Sequence, residues 1–255
     1  MIWLITLLVS CSLMVLVFLY ARVKDNASWV DVAWSFGLAA LAGLHAFFGD
    51  GWQTRRWALA IIVGAWGVRL GSHLAMRVAS HPEEGRYITL RAAFKPHVWR
   101  RFFFFYQYQA LANVLLALPF FWIASNPATQ IELLEWVGLA IWCISFTGES
   151  LADRQLKSFK AKGAGGVCQE GLWAWSRHPN YFFEWLIWVG LACASSAVPW
   201  GWTGWLSPLV MLFLLLKVTG IPPTEAQCLN SKGEAYKTYQ RRTSAFFPRP
   251  PKSMA

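Results

Sequence analysis

The sequence predicts an all-α integral membrane protein with about seven transmembrane helices, an outer N-terminus and a cytoplasmic C-terminus. Of the 255 residues, 56% are hydrophobic, and 17 Trp and 18 Phe are among them. Apolar runs of about 20 residues recur along the chain, and this length spans a bilayer as a helix. Lys and Arg gather in alternate connections, which is the charge pattern of a multi-pass protein.

Seven apolar segments give the predicted spans, and they lie near residues 2–20, 28–48, 56–77, 102–125, 131–152, 181–199 and 203–222. The first lacks the basic start and the cleavage site of a signal peptide, so it predicts a retained helix. Pro222 and Pro223 end the seventh span, and residues 225–239 predict a short helix in the tail. The chain shows no repeat and no long linker, so residues 1–255 predict a single transmembrane domain.

The positions of Lys and Arg set the orientation. The long polar segments 78–101, 153–178 and 223–255 carry most of them, whereas the opposite connections carry only Arg55 and Arg56. The positive-inside rule therefore places the three polar segments in the cytoplasm. The net charge of +10 does not predict nucleic-acid binding, because no soluble basic face is visible. Membrane lipids or an anionic cofactor are the expected partners.

The five cysteines form no CxxC pair and are scattered, mostly within the spans. Small buried hydrophobic residues fit this pattern better than a disulfide set or a metal site. They are Cys11, Cys143, Cys168, Cys193 and Cys228.

The densest polar stretch in an apolar setting is GLWAWSRHPNYFFEW, residues 171–185. Pro179 suits the first turn of a helix, whose first N–H groups have no partner within the helix. Those N–H groups, together with the cations just before them, favour an anion such as a phosphate. The alternative is a cationic anchor at the membrane surface, but an anchor needs no glutamate in the apolar run. The predicted site residues here are Arg177, His178, Asn180, Tyr181 and Glu184.

Ionisable residues inside spans are costly and usually mark a site. Asp31 lies early in the second span, and no basic residue lies within one helical turn of it in the sequence. We therefore favour a functional role for Asp31 over a structural ion pair. For Arg69, near the middle of the third span, the two interpretations stay equal. Tyr87, in the polar segment after the third span, fits either a site residue or an interfacial anchor.

Two further cytoplasmic segments carry candidate residues. In the first, at 146–170, acids and bases alternate along a helix, which is also the pattern of a solvated face. Its glycine-rich end at 163–166 matches neither a Rossmann nor a P-loop fingerprint. In the tail, arginines near tyrosines suit phosphate and adenine recognition, with a lipid anchor as the alternative. The candidates are Ser150, Asp153, Arg154 and Lys157 in the first segment, and Glu225, Tyr236, Arg241 and Arg242 in the tail.

The segments SRHPNYFFEW and TEAQCL…GEAYKTYQRRTSAFFP resemble the steroid 5-alpha-reductase family, in its bacterial multi-span branch (DUF1295-like). The resemblance runs over most of the chain. It implies a membrane reductase of the bacterial inner membrane that uses NADPH to saturate a 3-oxo-4-ene steroid or a similar enone lipid. Residues 1–125 would then be the substrate side, entered from the bilayer, and residues 126–255 would bind the cofactor. No obligate protein partner is implied.

The resemblance also assigns roles to single residues. Asp31 and Tyr87 take the positions of the carboxylate and tyrosine that polarise the substrate carbonyl, and the cofactor positions fall on the candidates named above. Asp31 stands where eukaryotic members carry a glutamate, and Glu225 falls roughly where they carry a histidine.

Two alternatives remain open. RHPNY segments and similar tails also occur in isoprenylcysteine carboxyl methyltransferases, so an S-adenosylmethionine-dependent methyltransferase is the first. A lipid carrier without enzymatic activity is the second, although its polar residues would be expected on both faces.

Overall fold

The structure is a computed structural model that describes residues 1–163 and 166–252. The glycine-rich segment expected at 163–166 thus lies partly outside the described residues. Within the described part of the chain, all regular structure is helical. The α-helices are α1 Ile2–Val23, α2 Trp29–Phe48, α3 Gln53–Ser80, α4 Gly85–Ala93, α5 Val98–Leu116, α6 Leu118–Ser125, α7 Leu133–Ala161, α8 Leu172–Trp175, α9 Pro179–Ser195, α10 Leu206–Phe213 and α11 Ile221–Arg242.

Five helical segments of the described chain are long and apolar enough to cross a membrane. The all-α class is therefore confirmed for the described residues, together with five candidate membrane-spanning helices. The helix α9 has only 17 residues, and in α7 Glu135 and Glu149 interrupt the apolar part. The five segments are Ile2–Val23, Trp29–Phe48, Gln53–Ser80, Val98–Ser125 and Gly201–Arg242.

The chain forms two compact units. The first unit comprises Met1–Glu135 and Ala192–Ser207, and the second comprises Trp136–Leu191 and Pro208–Ala255. Each unit has its own cluster of polar side chains, described below.

In the first unit, α2 packs closely against α3. A Cβ atom at Gly67 would lie 2.8 Å from the Ser35 carbonyl oxygen and 2.9 Å from the Ala39 Cβ. One turn later, a Cβ atom at Gly71 would lie 2.8 Å from the Phe36 ring. Glycine at these two positions therefore lets the two backbones approach, as is usual for helices packed within a membrane.

Arg55 holds the connection that follows α6 in the first unit. Its guanidinium donates to both carboxylate oxygens of Glu135, at 2.5 and 3.0 Å, and to backbone carbonyls of residues 126, 128 and 130. The residue is only 6% exposed. The sequence analysis predicts that Arg55 and Arg56 are the cations of the outer connections. In the structure, Arg55 forms a buried ion pair with Glu135, which is a structural role.

In the second unit, α7 and α9 make a close contact. A Cβ atom at Gly190 would lie 2.7 Å from the carbonyl oxygen of Gly138. The tail helix is longer than predicted, because Pro222 and Pro223 lie in the first turn of α11 rather than only ending the span before it. The backbone of α11 is broken at Gly233, whose φ of 54° favours glycine.

Candidate functional site

The polar cluster of the first unit centres on Asp31, in the first turn of α2. The Tyr87 hydroxyl donates a hydrogen bond to Asp31 Oδ1 at 2.8 Å. The Arg86 guanidinium donates to Asp31 Oδ2 and forms an ion pair with it. Residues separated by more than 50 positions in the sequence are thus joined at one carboxylate, which we call the Asp31 cluster.

The position of α4 follows from contacts on either side of it. The backbone N–H of Ala27 donates to Glu83 Oε1 at 2.6 Å, and the N–H of Glu84 donates to the Ser28 hydroxyl at 3.0 Å. Arg91 then pairs with both Glu83 and Asp25. These bonds tie the connection before α4 to the loop between α1 and α2, so Arg86 and Tyr87 face the start of α2.

Asp31 is an acceptor in both of its contacts. A guanidinium has only donors, so the Asp31 carboxyl group acts as the acceptor in its contact with Arg86. The resemblance has Asp31 act on a substrate carbonyl, whereas in the structure its carboxyl oxygens contact Arg86 and Tyr87. This ion pair cannot be predicted from the residues next to Asp31, because the cation comes from α4.

Tyr87 is buried, with 2% of its surface exposed, and it lies on a helix rather than in a loop. This burial argues against an interfacial anchor. Burial raises the pKa of the Tyr87 hydroxyl well above its ordinary value, although the neighbouring Arg86 cation opposes that rise. The phenol therefore keeps its proton and remains a hydrogen-bond donor at neutral pH.

The polar cluster of the second unit centres on Glu225, in α11. Arg177 donates to Glu225 Oε1 from Nε at 2.7 Å and also approaches it to 2.6 Å with a terminal nitrogen. Gln240 Nε2 donates to Oε2 at 2.9 Å, and the Tyr236 hydroxyl donates to Oε1 at 3.5 Å. His178 Nε2 lies 3.3 Å from Oε1. These five residues are the Glu225 cluster, and four of them were predicted as cofactor ligands.

The Glu225 cluster joins the two polar stretches that the sequence singled out. Besides Glu225, Arg177 donates to the carbonyl oxygens of Gln240 and Thr243, at 3.1 and 2.5 Å, and its own N–H donates to the Ser244 carbonyl at 2.8 Å. The guanidinium is thus engaged by protein acceptors. The prediction that Arg177 helps to bind an anion receives no support from this geometry, because its charge is already balanced by Glu225.

His178 is enclosed beside the same carboxylate, with 3% of its surface exposed. Burial lowers the pKa of the imidazole, although the hydrogen bond to Glu225 opposes that change. Its ring stacks on the Tyr181 ring, with the planes 5° apart and the centroids separated by 5.4 Å. The Tyr181 hydroxyl in turn lies 3.2 Å from Thr224 Oγ1.

A sequence model of a protein family matches residues 17–243, and its description is "Protein of unknown function (DUF1295)". The chain belongs to this family. A relative of this DUF1295 protein is the uncharacterized protein C594.04c of Schizosaccharomyces pombe, with 26% identity over 258 residues. That match covers 88% of this chain and 73% of the relative. No solved structure matches.

The other predicted cofactor residues of the DUF1295 protein lie on three helices of the second unit. Ser150 donates to the Phe146 carbonyl at 2.7 Å, and Arg241 donates to the Thr238 hydroxyl at 3.1 Å, so both are engaged within their own helix. The remaining ones are Asp153, Arg154 and Lys157 on α7, Asn180 and Glu184 on α9, and Arg242 at the end of α11.

Several residues of the two clusters were not predicted from the sequence. The stretch PEEGRYITLR contains three of them, Glu83, Arg86 and Arg91. Alternating charges near a membrane do not indicate which distant residue each charge contacts. The contact of Gln240 with Glu225 was not predicted either, because a single amide side chain on a polar helix is common. Their roles depend on distant partners, and periodicity within one segment does not reveal these.

Proposed function

We propose that this DUF1295 protein is a membrane reductase that saturates the C=C bond of an enone lipid, such as a 3-oxo-4-ene steroid, with NADPH as the hydride source. The observation that carries the proposal is the 2.8 Å hydrogen bond between Tyr87 and Asp31. The family resemblance requires a carboxylate and a tyrosine that act on one carbonyl, and these two residues meet although they are far apart in the sequence.

Conjugate reduction places negative charge on the substrate carbonyl oxygen as hydride reaches the β-carbon. A donor aimed at that oxygen lowers the barrier, because the charge develops only in the transition state. Tyr87 is the donor in this proposal, and Asp31 orients it. The hydroxyl hydrogen, held by Asp31 in the structure, turns about the C–O bond to reach the substrate oxygen. Tyr87 or water then supplies the proton required at the α-carbon.

NADPH supplies the hydride when it is bound, and its phosphates need cations. Arg177 does not fit this task, because Glu225 and two carbonyls engage it. Arg154, Lys157 and Arg241 are exposed and fit it. Arg242 adds a buried Nε that has no hydrogen-bond partner among the described residues. Those four residues would hold the phosphates, and the Glu225 cluster would fix the start of α9, with Asn180 and Glu184 on the nicotinamide side.

The proposal includes the membrane topology. The chain crosses the membrane seven times, with α7 and α9 added to the five apolar segments, and the N-terminus lies outside. The distribution of Lys and Arg supports this arrangement. The apolar substrate enters from the bilayer on the side of the first four spans, and the membrane is the inner membrane of a bacterium.

Binding measurements on the purified full chain test the function. We expect NADPH to quench tryptophan fluorescence in a saturable way, and S-adenosylmethionine to have no effect. Addition of a 3-oxo-4-ene steroid should then consume NADPH, which is followed by its absorbance. Binding of S-adenosylmethionine alone would replace the proposal with the methyltransferase, and binding of neither would favour a lipid carrier.

A further inference from the structure

Arg86 lies between two carboxylates of the first unit. One of its terminal nitrogens pairs with Asp31 Oδ2, and its Nε lies 3.6 Å from Glu84 Oε2. Its guanidinium carbon also lies 4.8 Å from the centroid of the Tyr87 ring. The same cation therefore neutralises the carboxylate that Tyr87 donates to and covers the face of the phenol.

Glu84 keeps Arg86 in this place. Its other oxygen pairs with Arg77 at 2.5 Å, and its backbone N–H is bound by the Ser28 hydroxyl at 3.0 Å. Arg86 and Asp31 are both largely shielded from water, with 23% and 20% of their side chains exposed. An ion pair at such a site is stronger than one on an open surface, because water screens it less.

We propose that Arg86 is a positioning residue for the proposed reaction. It keeps Asp31 anionic, so that Asp31 accepts and Tyr87 remains the one donor of the pair. The cation beside the Tyr87 ring also stabilises negative charge that the phenol gains while it shares its proton with the substrate oxygen. The catalytic role of Tyr87 rests on the proposed function, whereas the effect of Arg86 on the charge of Asp31 does not.

Several other charged or titratable groups belong to the elements around the Asp31 cluster. Arg86 makes an ion pair with Asp31. The other groups are Tyr87 and Glu84 at α4, Arg77 on α3, Tyr106 on α5, and Glu83 before α4. Four of them are phenols or acids, which do not favour a second negative charge nearby. Removal of the Arg86 cation should therefore drive Asp31 to take up a proton.

Infrared difference spectroscopy of the purified full chain tests the charge of Asp31. We expect the Arg86→Gln variant at neutral pH to gain the carbonyl stretch of a protonated carboxylic acid, which disappears in the Asp31→Asn, Arg86→Gln double variant. Arg100→Gln, which alters an exposed cation, is the control and should show no such band. Absence of the band in a folded Arg86→Gln protein would overturn the proposal.

The Asp31→Asn variant provides a second measurement if Arg86→Gln does not fold. The difference between wild type and Asp31→Asn should show the loss of an ionised carboxylate band. Loss of a protonated carboxyl band instead would mean that Asp31 is neutral in the native protein, and this result would also overturn the proposal.

Activity then separates this proposal from the proposed function. With an enone substrate, Arg86→Gln should lower kcat about 100-fold, as for loss of one oxyanion contact, and Arg86→Lys should recover part of it. The NADPH affinity should not change. Normal turnover in Arg86→Gln would overturn the positioning role while the reductase remains. A wild-type protein that neither binds NADPH nor reduces an enone would defeat the proposed function, and the infrared result would still decide the charge of Asp31.

Discussion

At the residue scale, the Asp31 carboxylate receives two hydrogen-bond donors from one short helix. In the proposed reaction, the Arg86 cation keeps Asp31 anionic, and Asp31 orients the Tyr87 hydroxyl. The oxygen of Tyr87 carries an exchangeable hydrogen that a substrate in this cluster can compete for without breaking the ion pair.

The Tyr87→Phe variant removes that hydrogen and keeps the ring. We expect enone reduction to fall about 100- to 1,000-fold, as when one oxyanion donor is lost, with NADPH binding unchanged. The measurement is the rate of NADPH oxidation with saturating substrate. Tyr108→Phe is the matched control, because Tyr108 is 68% exposed, and it should keep full activity. Equal rates for the two variants would remove Tyr87 from the mechanism.

The Glu225→Gln variant leaves the Arg177 cation without its counter-charge. The Arg177 side chain is only 10% exposed, so we expect the free energy of unfolding to fall by about 3 kcal/mol. Thermal unfolding followed by tryptophan fluorescence in detergent measures the change as a lower midpoint. Glu234→Gln is the control, because Glu234 pairs with Lys237 at the surface, and its midpoint should match wild type. An unchanged midpoint in Glu225→Gln would mean that the pair contributes nothing to stability.

The lowered pKa of His178 gives a pH dependence with a defined sign. The unfolded protein takes up a proton on this residue near pH 6.5, whereas the folded protein resists it because the imidazole is buried. Acidification below pH 6.5 should therefore lower the unfolding midpoint, and His178→Asn should lose part of that slope. His97→Asn, at an exposed position, should keep the wild-type slope. Identical slopes for all three proteins would exclude His178 as the cause.

At the element scale, close helix packing depends on glycines that only the assembled unit explains. Gly67 and Gly71 face α2, whereas Gly64, on the same helix, has no atom of a neighbour within 4 Å of its Cβ position. A glycine in a helix looks the same in the sequence whether or not another helix packs against it. The neighbouring helix therefore decides which glycines are required.

The Gly67→Ala variant tests this contact. Because the added methyl meets the Ser35 backbone, we expect a cost of about 1–3 kcal/mol in stability. Gly64→Ala is the control and should be neutral or slightly stabilising, since alanine favours helix over glycine by about 1 kcal/mol. The comparison of thermal midpoints measures the difference. A Gly67→Ala protein as stable as Gly64→Ala would show that α2 and α3 do not pack this closely.

At the scale of the whole molecule, the charge distribution and the helix order together predict which loops face the cytoplasm. In a background without native cysteines, Asp50→Cys and Gln130→Cys should react with a membrane-impermeant maleimide in intact cells. Lys95→Cys and Lys237→Cys should react only after permeabilisation. All four positions are exposed in the structure. Labelling of Lys237→Cys in intact cells would reject the cytoplasmic C-terminus.

The sequence by itself determined the helical membrane class, the start of α9 at Pro179 and the stretches in which the polar clusters lie. Hydropathy, helix-starting residues and charge are local properties, and each is visible within one segment. Family resemblance added Asp31 and Tyr87 as a pair. None of these signals gives the identity of a partner from a distant helix.

Only the tertiary structure decided that Asp31 pairs with Arg86 and that Arg177 is held by Glu225. Both outcomes depend on which opposite charge lies within hydrogen-bond distance, and that charge comes from a segment more than 45 residues away in the sequence. A charge in an apolar setting must find such a partner, because burial without one is too costly. The sequence shows that a charged side chain lies in an apolar segment. The packing of the helices decides whether another residue or a ligand balances that charge.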